Sequence, residues 1–189
     1  MRRQARAIER LREGEPSLAA SLLDLAIEIN PTDAEHHVQL STARRRLGDR
    51  ARALEAGHRA LAIGASNRDF NFDTHYNVAC DLRQLGDLEG AALAFAESVG
   101  IGELSAHSFV VSAAKMGAAE VGLGGSLRRL GLHSEARLAL ERAIRLEPDG
   151  AADAWAELGL VYVELGDAES AELCQLQLAR RTLEASMRE

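Results

Sequence analysis

A short motif, Leu-Gly-Asp, recurs along this chain and constrains its fold more than any other feature. It stands at Leu47–Asp49, Leu85–Asp87 and Leu165–Asp167, with variants at Leu130–Leu132 and Glu13–Glu15. The spacings between the five glycines are 34, 38, 45 and 35 residues. A recurring period of this length is typical of repeat proteins, in which one structural unit stacks on the next.

The residues around each glycine predict what one unit is. About a dozen residues with apolar positions three and four apart precede each glycine, and a second such stretch follows it. Each unit is therefore predicted as helix, turn, helix, and glycine ends the first helix because it adopts the left-handed cap conformation without strain. Aromatic residues make up only 4% of the chain. We expect an all-α protein with a core built mainly from alanine and leucine.

The last unit resembles a tetratricopeptide repeat. It carries the W-x2-L-G-x2-Y pattern of that family at Trp155, Leu158, Gly159 and Tyr162. The resemblance implies a right-handed α-solenoid of antiparallel helix pairs over a single domain, 1–189, with a C-terminal capping helix to about 188. The repeats would lie at about 1–33, 34–67, 72–105, 117–150 and 152–185.

Two insertions interrupt the even spacing, Arg68–Asn71 and Ala106–Met116. They are four and eleven residues long, or about one and three helical turns. A helical insertion of whole turns keeps the buried face in register, and Phe109 and Val110 favour helix in the longer one. We predict a lengthened helix at both places.

Arginines recur two and three residues before the turn glycines, on the face of each first helix that points away from the buried stripe. The resemblance implies that this face lines a concave groove that binds an extended peptide or a partner's helix. An arginine fork matches a carboxylate at two points, so a partner with acidic groups is predicted. The alternative is that these arginines only meet the negative end of the helix dipole. The predicted groove residues are Arg12, Arg45, Arg46, Tyr76, Asn77, Arg83, Arg128 and Arg129.

The predicted function is therefore a non-catalytic module for protein–protein interaction: an adaptor, a scaffold or a chaperone. One alternative is a self-assembling scaffold, because Leu173, Leu176, Leu183 and Met187 give the last helix a broad apolar face. That face is either covered as the end cap of the solenoid or is a seam between copies. A second alternative, a chaperone of secretion apparatus subunits, rests on fold-level analogy alone.

Catalytic and metal sites are weakly supported by the sequence. His36 and His37 are adjacent, and His75 lies one repeat away, but no histidine pair has metal-ligand spacing. Buried histidines at the tryptophan position of the repeat are the expected explanation. We predict no catalytic residues, no metal and no cofactor.

A glycine-rich run at 117–126 lacks the lysine of a phosphate-binding loop and follows no predicted strand. Within it, Gly122 and Gly125 are unexplained. They either let a ligand backbone approach, or let the insertion pack closely, or have no function.

The net charge of −7 is unevenly spread: +2 over residues 1–60, −5 over 61–120 and −4 over 121–189. An acidic C-terminal two-thirds argues against nucleic-acid binding. Two cysteines are too few for a disulfide framework, and no apolar run is long enough to cross a membrane. We expect a cytoplasmic protein without membrane insertion. The basic residues are almost all arginine, which is typical of a GC-rich genome, and we expect a bacterial source.

Overall fold

The computed structural model describes residues 2–64, 68–105, 111–148 and 151–186. These residues form helices joined by turns, with no strand among them. In chain order the helices are α1 (Arg2–Arg12), α2 (Pro16–Ile29), α3 (Ala34–Arg46), α4 (Arg50–Ile63), α5 (Arg68–Leu85), α6 (Leu88–Ser105), α7 (Ala113–Arg129), α8 (His133–Leu146), α9 (Ala152–Glu164) and α10 (Ala168–Ser186).

The chain divides into two compact units. The N-terminal unit, Met1–Gly86, contains α1 to α5, and the C-terminal unit, Asp87–Glu189, contains α6 to α10. Within each unit every helix packs against the next one along the chain. The prediction of a single solenoid domain over 1–189 is not tested by this division and stays a prediction.

The Leu-Gly-Asp motif ends one helix and begins the next. Gly48 has φ +78°, and its N–H donates to the carbonyl of Arg45 at 3.0 Å. The Asp49 N–H donates to the carbonyl of Arg44, also at 3.0 Å, which completes a Schellman cap. The Asp49 carboxylate then accepts from the backbone N–H of Arg52 at 3.2 Å and caps α4. All five glycines predicted to form turns have positive φ, between +76° and +91°.

Alanine and leucine build the interior of both units, as the composition predicts. In the N-terminal unit Leu23 is fully buried against α1 and α3, in one cluster with Leu11 and Leu40. In the C-terminal unit Leu140 and Leu158 are the large members of a cluster that joins α8 to α9. Small alanines between them allow the helix backbones to approach closely.

The shorter insertion is a helical extension, as predicted, because α5 begins at Arg68. The prediction for the longer insertion is wrong in part. Its helix begins only at Ala113, where the Ser112 side chain accepts from the N–H of Lys115 and caps α7. Ser112 is extended, with φ −71° and ψ 154°, so the helix cannot continue through it. Residues 106–110, with Phe109 and Val110, lie outside the described residues.

The last helix, α10, is one continuous helix to Ser186. Its outward side chains Leu173, Leu176 and Leu183 are 55, 60 and 62% exposed. Among the described residues α10 therefore leaves the apolar face that the sequence predicts uncovered. Met187 lies outside these residues.

The two unexplained glycines in α7 have different surroundings. A Cβ atom at Gly122 would overlap the ring of Phe95 from α6, so this glycine provides the space for a fully buried aromatic side chain. At Gly125 the nearest atoms are the carboxyl group of Glu157, at 3.5 Å, which is ordinary contact. Close helix packing explains Gly122, so it needs no ligand.

Candidate functional site

In the N-terminal unit the ends of the first helices lie close together. The Arg46 guanidinium donates to the carbonyl of Leu11, beside the exposed Arg12. Arg45 reaches the other way, to Asp81 on α5, through two parallel hydrogen bonds. The predicted groove residues of α1, α3 and α5 all lie in this unit, and we call them together the N-terminal arginine surface: Arg12, Arg45, Arg46, Tyr76, Asn77 and Arg83.

Asp81 on α5 links α5 to α3 and α4, although it is not among the residues predicted from the sequence. Its side chain is fully buried, and its oxygens lie 2.9 and 2.7 Å from Nε and Nη2 of Arg45. A second arginine, Arg50 at the start of α4, places Nη1 at 3.8 Å from Oδ1. Two guanidinium groups share one carboxylate, so the cluster of Arg45, Arg50 and Asp81 carries a net positive charge. No pattern in the sequence separates Asp81 from an exposed acid.

The side chains of α5 lie beside this cluster. Tyr76 is stacked on Phe72, with ring centroids 6.5 Å apart and an interplanar angle of 7°. Tyr76, Asn77 and Arg83 are each half-buried. Burial raises the pKa of the Cys80 thiol, against the lowering effect of the Arg83 charge and of a hydrogen bond with Tyr76. The thiol therefore stays protonated near neutral pH and is a poor nucleophile.

In the C-terminal unit the equivalent arginine is already occupied. Arg128 Nε lies 2.9 Å from Glu157 and Nη1 lies 2.6 Å from Glu164, both on α9. Burial acts to lower the pKa of Arg128, but the hydrogen bonds with both glutamates outweigh it and raise the pKa. Arg129 is exposed. Arg128 would have to leave two carboxylates to bind a third. Arg128 and Arg45 therefore occupy equivalent positions in the repeat, but Arg128 is less available to bind an acidic partner.

The adjacent histidines are buried, at 6% exposure for His36 and 4% for His37. A ring nitrogen of His37, Nε2, lies 3.1 Å from the carbonyl of Pro31, and His36 Nδ1 lies 3.6 Å from the Asp33 carboxylate. Both side chains are thus packing residues of α3, as expected. No group of three or more potential metal ligands occurs in the described part of the chain.

A second buried carboxylate lies in the C-terminal unit. Glu120 on α7 is 1% exposed, and Arg142 on α8 binds it at two points, with distances of 2.6 and 2.9 Å. This pair joins the two helices of one repeat.

Within the described residues, no helix is both long and apolar enough to cross a membrane.

Comparisons with known proteins bear on the fold of the chain. Residues 152–182 match the family model of the tetratricopeptide repeat. The chain has the tetratricopeptide repeat fold. It superposes on MamA from Desulfovibrio magneticus RS-1 with a TM-score of 0.81, at 19% identity and covering 96% of this chain and 94% of that one.

Two other solved structures show the same fold. YrrB, described as a TPR protein with an unusual peptide-binding site, gives a TM-score of 0.80 at 18% identity, covering 95% of this chain and 84% of that one. PilW, described as a type IV pilus biogenesis factor, gives 0.71 at 16% identity, covering 95% and 76%. No curated protein sequence matches the chain.

Proposed function

We propose that this chain is a non-catalytic protein–protein interaction module, and that its N-terminal arginine surface binds a peptide or helix with acidic groups. The observation that carries the proposal is the arrangement at Asp81, where Arg45 and Arg50 share one buried carboxylate. A guanidinium that is already oriented by one carboxylate presents its remaining donors with little further loss of side-chain freedom.

The surroundings of this cluster suit an acidic partner. Arg12 and Arg46 are exposed in the same unit, on the side of α3 that meets α1, and Tyr76 and Asn77 add an aromatic face and an amide for a peptide backbone. YrrB, a protein of the same fold, is described as having a peptide-binding site, which supports a peptide as the kind of ligand. Arg128 and Arg129 are a secondary part of the proposal, because Arg128 is held by two glutamates. The absence of catalysis and a cytoplasmic location stay predictions.

The test is binding of a peptide library in which each member with Asp and Glu has a counterpart with Asn and Gln. Fluorescence polarisation would be measured with wild type and with the double variant Arg12→Glu/Arg46→Glu. We expect the acidic peptides to bind wild type more tightly at low salt than at high salt. The double variant should bind them at least about tenfold more weakly, or about 1.4 kcal/mol.

A matched control separates a site from net charge. Arg59→Glu/Arg145→Glu makes the same change in charge at two exposed positions on second helices, α4 and α8. Binding should be close to that of wild type in this control. Equal losses in both double variants, or equal binding of the acidic and the amide peptides, would contradict the proposal.

A further inference from the structure

The last helix pair carries an open apolar groove. It has a volume of about 230 Å³, which is several times the ~30 Å³ that a water molecule occupies in the liquid. Leu160 and Val163 at its edge are 45 and 59% exposed. This C-terminal groove is lined by Trp155, Gly159, Leu160 and Val163 of α9 and by Cys174 and Leu178 of α10.

One repeat earlier, the equivalent groove holds a helix. In the C-terminal unit, α9 packs against both α7 and α8. Leu158 of α9 lies in one apolar cluster with Leu140 and Ala143 of α8. A helix pair of this protein therefore forms a groove, or seat, in which a further helix packs. The groove between α9 and α10 is formed in the same way.

The chemistry of the two seats differs. The turn glycines are 35 residues apart, so Leu160 stands at the position of Gly125, and Val163 at that of Arg128. Arg128 binds two carboxylates of its occupant, α9. Val163 can only be covered favourably by apolar side chains, so the occupant of the C-terminal groove must present an apolar stripe where α9 presents acids.

Charge restricts the occupant further. Residues 151–186 contain seven acidic and two basic side chains. Two of the acids, Glu157 and Glu164, bind Arg128, but the other five still outnumber the two arginines, so a helix with lysine or arginine beside its apolar stripe is complementary to the charge of this helix pair. The basic helix α1 of a second copy does not fit. It carries Arg6 and Glu9 at the positions of Leu158 and Val161, the side chains with which α9 fills its own seat.

We propose that the C-terminal groove docks a basic amphipathic helix from another protein, with apolar side chains against Leu160 and Val163. This site is distinct from the N-terminal arginine surface in place and in the charge of its ligand. A helix that docks into an apolar groove contacts it through anchor side chains at every third and fourth residue.

The test uses Trp155, the single tryptophan of the chain, as the reporter. The probes are tryptophan-free peptides of about 18 residues, or five helical turns, with a leucine and alanine stripe flanked by lysine. Matched peptides carry glutamate in place of lysine, or the same composition with the stripe scrambled. We expect a saturable change in Trp155 emission with the lysine peptide alone.

The variant Leu160→Asn should weaken this binding at least about tenfold. Leu138→Asn on α8 is the control, because Leu138 is 49% exposed, close to the 45% of Leu160, and lies outside the groove. Equal effects of the two variants, equal binding of the lysine and glutamate peptides, or no change in emission would overturn the proposal. A dimer in sedimentation that Leu160→Asn dissociates would also overturn it, because the occupant would then be a second copy. Binding by Arg12→Glu/Arg46→Glu should be unaffected, so this test fails or succeeds independently of the proposed function.

Discussion

The two units place arginine at the same distance from the turn glycine and use it differently. In the N-terminal unit Arg45 pairs with a buried carboxylate that a second arginine, Arg50, also approaches. In the C-terminal unit Arg128 alone is bound by two carboxylates, Glu157 and Glu164. Positive charge is in surplus at the first cluster and in deficit at the second. Equivalent positions in a repeat therefore share a backbone geometry. Whether an arginine at such a position can bind a partner depends on the carboxylates that the neighbouring helix brings to it.

The largest expected difference concerns the two buried carboxylates. Arg142→Ala would leave Glu120, which is 1% exposed, without the two hydrogen bonds that Arg142 donates. Loss of one partner of a fully buried ion pair costs about 3–5 kcal/mol, and we expect a loss at or below the lower end of this range because the Arg142 side chain is 41% exposed. We expect a smaller loss for Arg45→Ala, because Arg50 remains near Asp81. Chemical denaturation of both variants measures the two losses.

The double variant Glu120→Leu/Arg142→Leu is the control for this comparison. Replacing both charges by apolar groups leaves no buried unpaired group, so much of the lost stability should return. Equal losses for Arg142→Ala and Arg45→Ala would show that Arg50 does not compensate for Arg45.

A smaller effect is expected at the glycines of α7. Gly122→Ala places a methyl group in the Phe95 ring and should destabilise the fold by about 1–3 kcal/mol. Gly125→Ala meets only ordinary contact and should stabilise it by up to about 1 kcal/mol, because alanine favours helix. Thermal unfolding of both variants would show whether each substitution lowers or raises the stability of the fold. Equal losses of stability in the two variants would show that Gly122 is not required specifically to make room for the Phe95 ring.

The smallest effect concerns an aspartate that caps a second helix in the C-terminal unit. Hydrogen bonds from the side chain and the backbone N–H of Ser170 lower the pKa of Asp167. A carboxyl with a lowered pKa in the folded state stabilises the fold above its unfolded pKa of about 3.9, and this contribution is lost as the pH falls through the folded pKa.

An NMR titration of the Asp167 carboxyl in wild type and in Ser170→Ala would measure this effect. The pKa should lie below the ordinary value in wild type and rise part of the way in the variant, since the backbone hydrogen bond remains. An unchanged pKa in Ser170→Ala would assign the whole shift to the backbone.

Local features of the fold could be predicted from the sequence because their causes are local. The turn at Gly48 follows from a backbone conformation that glycine adopts without strain, and helical spacing predicts α5 from Arg68. The start of α7 was missed because the length of an insertion in whole turns does not show where a serine will cap the helix.

The electrostatics of the candidate site could be predicted only in part. The positions of Arg45 and Arg128 follow from the repeat, but their partners Asp81 and Glu157 are 36 and 29 residues away. Contacts over such distances depend on how neighbouring helices lie, and no single-chain pattern encodes that. Asp81 was missed for the same reason.

The Leu-Gly-Asp turn has a consequence for how such a chain can change over evolution. Gly48 closes one helix and Asp49 opens the next through hydrogen bonds that reach no more than five residues along the chain. An unequal recombination that adds or deletes one repeat would carry a complete turn, with both helix caps, along with it. New repeats could thus be acquired without redesign of the joints, and selection would act mainly on the charges that each new helix brings to its neighbours.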